Sequence, residues 1–263
     1  SGRRDIKASF HVSDKYLSVR TLAYGTEAYE GQMFDITEGL LSAALETGLF
    51  SRSETEVFVF SHQSYADFLG AEYLRHRGLS VEQLMNLFFL SSMEAVVPQL
   101  RDLIVWMIPS NDELFKILLE RDPLLLIESD SLSSSQRETL VCILLRKVDW
   151  VKISWEKRDR VRHFYRNLNY PDLDNILRPL IGSSGDDPYR RQVSIDIAGT
   201  CRIETLVPEL SACLNDKDEF TTIRRDAAIA LGRIGTREAL MVLRPFLEEL
   251  PADEDIERKL QYV

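Results

Sequence analysis

From about residue 81 onward the apolar residues recur three and four positions apart, the spacing of one face of a helix. Val81, Leu84, Met85 and Phe88 form one such set. Val96, Val97, Leu100, Leu103, Ile104 and Met107 form a second, and Leu114, Ile117 and Leu118 a third. Ser133 or Ser134, ahead of Gln136 or Arg137, predicts a capped helix carrying Leu140, Ile143, Leu144 and Lys147. Pro109-Ser110-Asn111, Asp122-Pro123 and the serine-rich stretch 129–135 interrupt the period. Helices of about 8 to 15 residues with short connections predict an α-solenoid or an antiparallel helix stack.

Internal similarity favours the solenoid. Residues 190–216 superimpose on 224–249 at a shift of 34, which sets Arg190 on Arg224, Ile195 on Ile229, Ile197 on Leu231, Glu204 on Glu238 and Leu206 on Leu240. A weaker copy precedes them at a shift of 33, with Arg158 on Arg191, Phe164 on Ile197, Leu173 on Leu206, Leu177 on Leu210 and Ile181 on Leu214. Two helices per unit at this period hide their apolar faces only by stacking on the next unit. The stretch AIALGRIGTREAL within 224–249 resembles a HEAT or HEAT-like repeat, whereas the copy ending at Asp216 has Thr200-Cys201 where Ile-Gly is expected. Two unrelated hairpins of equal length are the plain alternative.

The first 80 residues follow other rules. A helix is predicted around 13–28, then a loop with Gly25 and Gly31, then a helix over 36–47 whose Ile36, Leu40, Ala44 and Leu45 share a face before Gly48 stops it. Leu49-Phe50, the polar SRSETE and the alternating Val57-Phe58-Val59-Phe60 predict two strands around a turn, and with the preceding helix they suggest a winged helix. A third helix is expected next, with Ser64 and Asp67 as a capping box and Tyr65, Phe68, Leu69 and Tyr73 as its buried stripe. The expected chain is therefore mostly α: a winged-helix module over 1–80, a helical-hairpin array over 81–155 and HEAT-like repeats over 156–263.

Composition narrows the function classes. The 263 residues carry a net charge of -10 with 44% hydrophobic and 28% charged side chains, the balance of a globular chain of one to two domains. Cys142, Cys201 and Cys213 form no CxxC pair, which argues against a cysteine zinc site or a disulfide framework and for a reducing cytoplasm. No apolar run reaches the roughly 18 residues of a membrane span, and no signal-peptide pattern opens the chain. Its start, Ser-Gly-Arg-Arg without methionine, is expected of a piece cut from a longer protein behind a cloning remnant. There is no GxxxxGK[ST], GxGxxG, HExxH or GxSxG, and His11, His62, His76 and His163 are scattered rather than set at metal-ligand spacing. The chain reads as non-catalytic by itself, with neither a metal nor a cofactor of its own.

The stretch 58–74, FVFSHQSYADFLGAEYL, resembles the end of the winged-helix domain in NACHT-type NTPases of the STAND class. Phe60, His62, Ser64, Tyr65, Asp67, Phe68, Leu69, Ala71, Tyr73 and Leu74 fit that pattern, and the preceding LLSAALETGLFSRSETEVFVF is similar to the approach to it. The nucleotide domain that precedes this motif in the family, with its P-loop and Mg²⁺ site, has no counterpart in the sequence. The resemblance implies a bacterial signalling switch, in the family often a defence against invaders. ATP or ADP with Mg²⁺ would be bound by the full-length protein, and the winged helix would hold the NTPase domain closed. A trigger, protein or otherwise, would be read on the solenoid, and activation would bring self-association. It also implies that His62 touches the β-phosphate of ADP. A histidine just ahead of a helix N-terminus sits beside unpaired N–H groups and the positive end of the helix dipole, which suit an anion. The bland alternative is a histidine that packs beside the strand and bonds a neighbour.

Charge adds one further candidate. Residues 1–144 carry 12 basic and 21 acidic side chains, 145–182 carry 9 and 5, and 183–263 carry 11 and 16. The would-be recognition helix ITEGLLSAALET has two glutamates and no Lys or Arg, which disfavours duplex DNA. In the basic interval, Lys157, Arg158 and Arg162 with Trp155 are candidate ligand or partner contacts; a solvated helix face or pairing with acidic neighbours is the duller reading. Residues 182–187 read as a loop, the acidic end from Glu248 as an exposed terminus, and Trp106 and Trp155 as core anchors. Two rivals to the switch remain: a stand-alone HEAT-like adaptor for other proteins, and a helical enzyme whose polar pocket spacing alone does not reveal.

Overall fold

The structure, a computed structural model of the chain, describes residues 5–7, 16–29, 31–54, 57–89, 96–183 and 187–248. Helices dominate, and they group into two units, residues 1–114 and 115–263.

In the first unit the chain runs through β1 (Asp5–Lys7), β2 (Tyr16–Ser18), the single-turn α1 (Val19–Leu22), β3 (Gly25–Tyr29), β4 (Gln32–Ile36), α2 (Glu38–Leu45), β5 (Phe50–Glu54), β6 (Val57–Phe60), α3 (Gln63–His76), α4 (Val81–Phe88) and α5 (Arg101–Met107). Four strands form one sheet in the order β2-β1-β6-β5, parallel between β1 and β2 and antiparallel elsewhere. β3 and β4 pair separately as a ribbon, from Gly25 opposite Ile36 to Tyr29 opposite Gln32.

The helix expected over 13–28 is therefore corrected: residues 13–15 lie outside the described residues, and 16–29 form strand, one helical turn and strand. Tyr24, at φ 73°, follows the helical turn, and residues 25–29, of which only Thr26 and Tyr29 favour a strand, are held there by pairing with β4. Gly25 opens β3 rather than a loop, while Gly31, at φ 76°, stands at the reversal. Further on the expected order holds. Thr37 caps α2 by accepting a hydrogen bond from Leu40 N at 3.3 Å, and β5 and β6 form the hairpin, with Phe50 and Phe60 4.6 Å apart.

Helix α3 is present, but its cap and its face both differ from expectation. Its N-cap is His62, not Ser64, because the imidazole Nδ1 accepts from Ser64 N. Asp67 and Ala71 are the buried residues, whereas Tyr65, Phe68, Leu69 and Tyr73 are 38–50% exposed. The inward side must admit α5 closely: a Cβ added at Gly70 would lie 2.8 Å from Leu103 Cδ1. Gly70 therefore sits toward α5, while Tyr65, Leu69 and Tyr73 stay largely exposed and Phe68 keeps only an edge contact with that helix. Trp106 of α5, expected in the core, is 43% exposed and meets Phe68 edge-on at 5.3 Å.

The division between the units falls in α6 (Asp112–Arg121). The second unit continues with α7 (Pro123–Leu126), α8 (Ser134–Arg146), α9 (Trp155–Arg162), α10 (Leu173–Gly182), α11 (Pro188–Thr200), α12 (Val207–Asn215), α13 (Thr221–Ile234) and α14 (Arg237–Glu248). The serine-rich stretch supplies the cap of α8, a full capping box between Ser133 and Gln136. Gly182 ends α10 and Asp187 caps α11, with 184–186 outside the described residues, as is the acidic end beyond 248. Leu177, Ile181, Ile195, Ile197, Leu206, Leu210 and Leu231 are fully buried, each contributing about 1.5–3 kcal/mol of burial.

Packing shifts the register of the last repeat by one residue. Arg191 Nε donates to Ile181 O at 2.8 Å and Arg224 Nε donates to Leu214 O at 3.0 Å, so the two arginines reach the carbonyl ten residues back and correspond at a shift of 33. Burial agrees: Leu206 is fully buried, as is Ala239 at a shift of 33, while Leu240 at 34 is 50% exposed. So does the backbone, since Arg202 (φ 53°) and Gly235 (φ 69°) are both left-handed at the ends of equivalent helices. Paired arginines at 190–191 and 224–225 make either shift plausible on paper; only the hydrogen bonds choose. The Ile234-Gly235 turn thus answers to Cys201-Arg202, not to Thr200-Cys201.

Candidate functional site

Helix α9, WEKRDRVR, has no apolar stripe; among its described side chains only Val161 is buried. Ser154 caps it, and Arg162 and Arg158 find partners on α11 in Asp196 and Tyr189. Arg158, Asp159 and Arg162 form one wall of a cleft of about 230 Å³. Tyr189, Gln192, Val193 and Asp196, spaced i, i+3, i+4 and i+7 along α11, form a second wall. Arg225 and Asp226 of α13 close it, and the buried Trp150 and Tyr165 complete the lining. Trp150 is fixed from behind by its Nε1–H, which donates to Leu144 O at 2.8 Å.

The electrostatics centre on two buried carboxylates. Asp196 is 8% exposed and accepts from Arg162 Nη2 at 2.6 Å, with Arg233 Nη1 3.7 Å away. Burial pushes its carboxyl above the ordinary carboxylate range, and the two arginines pull against that shift. Asp226, 5% exposed, takes Nε and Nη2 of Arg225 on one oxygen, at 3.2 and 3.0 Å. Burial also drives the Tyr165 hydroxyl far above its usual range, so that side chain is a neutral phenol. Arg158 lies over the Tyr189 ring, 4.9 Å from its centroid, a cation–π contact that leaves its N–H edge open.

The basic interval is thus only partly gathered. Arg158 and Arg162 enter the cleft. Lys157 turns away to Asp122 at 3.9 Å, and Lys152 pairs with Asp149 at 2.9 Å. Lys147 lines a separate groove with Lys116 and Leu119. Trp155 opens α9, but its side chain lies outside the described residues. Sequence reasoning missed Asp196, Asp226, Tyr189 and Arg225. A signal for the carboxylates was present: Asp196 interrupts the apolar Ile195-Ile197-Ala198, and Asp226 stands directly ahead of the apolar run Ala227–Leu231.

His62 occupies the N-cap of α3 in extended conformation, exposed, with Nδ1 accepting from Ser64 N at 3.2 Å and 2.7 Å from Ser64 Oγ. With Nδ1 accepting from Ser64 N, the ring N–H falls to Nε2. The residue bonds its neighbour, as the bland reading holds, and still offers one N–H to an anion.

Among the described residues no group of three or more His, Cys, Asp or Glu side chains is placed to hold a metal ion, and no helix is long and apolar enough to cross a membrane. No curated protein and no solved structure matches the chain. The family of HEAT repeats matches residues 177–258, the stretch that runs from α10 through α14, so the chain holds a HEAT-like repeat region.

Proposed function

We propose that this chain recognises a protein partner through the face formed by α9, α11 and α13. The observation that carries the reading is the cleft itself: α11 and α13, within the HEAT-like stretch, and α9 ahead of it align their side chains into one charged, aromatic-lined surface. Repeat stacks expose such surfaces because each unit contacts only its neighbours and leaves its outer residues free.

More finely, the chain is the regulatory, trigger-sensing part of a NACHT-like signalling NTPase. The motif around His62 supports this reading, together with the order helix, hairpin, helix in α2, β5, β6 and α3, which suits a winged helix. On this reading the absent NTPase domain supplies nucleotide binding and hydrolysis with Mg²⁺, His62 Nε2 donates to a phosphate of ADP, and trigger binding shifts the population toward an open, self-associating state. The repeats suit a stand-alone adaptor equally well, and such an adaptor needs no nucleotide. Replacing His62 by Ala in the full-length protein that carries this segment decides between them. Reduced ADP retention with raised resting activity is expected. Unchanged nucleotide content and resting activity would remove the switch reading and leave the adaptor.

A further inference from the structure

We infer that the cleft between α9, α11 and α13 receives a single carboxylate, the side chain of an acidic residue in a peptide segment of the partner protein. The inference rests on the protein-recognition reading above and adds the chemistry of what is recognised.

Unspent donors point to an anion. Arg162 gives one of its N–H groups to Asp196, Arg225 gives two to a single oxygen of Asp226, and Arg158 gives none to a carboxylate among the described residues. Its stacking on Tyr189 holds the guanidinium plane in place, which lowers the entropy lost when a ligand binds. A planar fork of this kind matches a carboxylate with two parallel hydrogen bonds.

Charge counting fixes how much anion fits. Arg158, Arg162 and Arg225 line the cleft against Asp159, Asp196 and Asp226, and Arg233, outside the lining but 3.7 Å from Asp196, adds one positive charge in excess. One carboxylate neutralises that excess, whereas a phosphate dianion or a nucleic-acid backbone meets three like charges on the same walls. Size agrees: about 230 Å³ is below the roughly 300–1,000 Å³ of small-molecule pockets and suits one side chain. Gln192, on the α11 wall, offers an amide for the peptide backbone beside it.

The test pans a displayed library of random linear peptides against the whole chain, then measures the enriched peptides by calorimetry. Enriched peptides should share a Glu or Asp, and replacing that residue by Gln or Asn should weaken binding by roughly tenfold, about 1.4 kcal/mol. Arg158→Glu should produce the same loss, while Arg160→Glu, an exposed change on the same helix, should not. Should Arg158→Glu fail to fold, Arg158→Gln removes the charge alone and is read in its place. Enriched peptides that lack an acidic residue, or that bind Arg158→Glu as tightly, would overturn the carboxylate while preserving protein recognition. Displacement by inorganic phosphate as effective as by a second acidic peptide would also overturn it, in favour of a phosphate site. Failure to enrich any peptide would count against both.

Discussion

Helices α3 and α11 are nearly equal in length, 14 and 13 residues, yet α3 buries two of its residues and α11 buries eight. Helix α11 packs between α10 on one side and α13 on the other, with α8 against it as well. Its neighbours cover even Asp196 and Arg191, which must then be paired. Helix α3 packs chiefly on α5 and touches β6, so most of its circumference faces water. Apolar content does not explain the contrast, since α3 carries Tyr65, Phe68, Leu69 and Tyr73. What decides burial is how many elements surround the helix, and a repeat stack surrounds its inner helices by construction.

The largest test of this contrast is truncation. Leu210→Ala, at a fully buried position in the repeats, should cost about 2–5 kcal/mol in denaturant unfolding, whereas Phe68→Ala, 41% exposed, should cost about 1 kcal/mol, mostly its contact with Trp106. Equal losses would break the comparison. A finer test uses two helical glycines that approach a neighbouring helix closely. A Cβ at Gly199 would lie 2.7 Å from Ala230 Cα, so Gly199→Ala forces backbone apart and should cost about 1–3 kcal/mol. At Gly70 the obstacle is the tip of the Leu103 side chain, which can rotate, so Gly70→Ala should be close to neutral by the same melting experiment. The smallest effect concerns the register. Because Arg202 holds the left-handed position that Gly235 holds one repeat later, Arg202→Gly should raise stability by about 0.5–1 kcal/mol; a loss would argue against the 33-residue correspondence.

Much of the second unit was legible in the sequence. The capping box at Ser133 has its partner three residues on, as local bonding requires. The stripe Leu173, Leu177 and Ile181 is fully buried as its spacing predicts. Less was legible where two local solutions compete. His62 and Ser64 are both competent caps, and the choice fell to the imidazole because its ring nitrogen reaches Ser64 N from outside the first turn. The strands at 16–18 and 25–29 were misread because a short run of mixed apolar and polar residues fits either period, and their pairing partners decided the matter. For the candidate site, the sequence marked Arg158 and Arg162 by charge alone. It did not reveal that Arg162 is taken by Asp196, 34 residues away, or that Tyr189 holds Arg158.

By itself, the sequence determined that the chain is mainly helical, where several breakers and the cap at Ser133 fall, and that its last third is built of repeats, because caps, breakers and apolar spacing act within a few residues. The tertiary structure decided which face of each helix turns inward, the one-residue register between repeats and the grouping of three arginines with two buried carboxylates. Those outcomes depend on close approach and hydrogen bonding between segments about one repeat apart. Helical spacing fixes only that a face exists, not which neighbour will cover it.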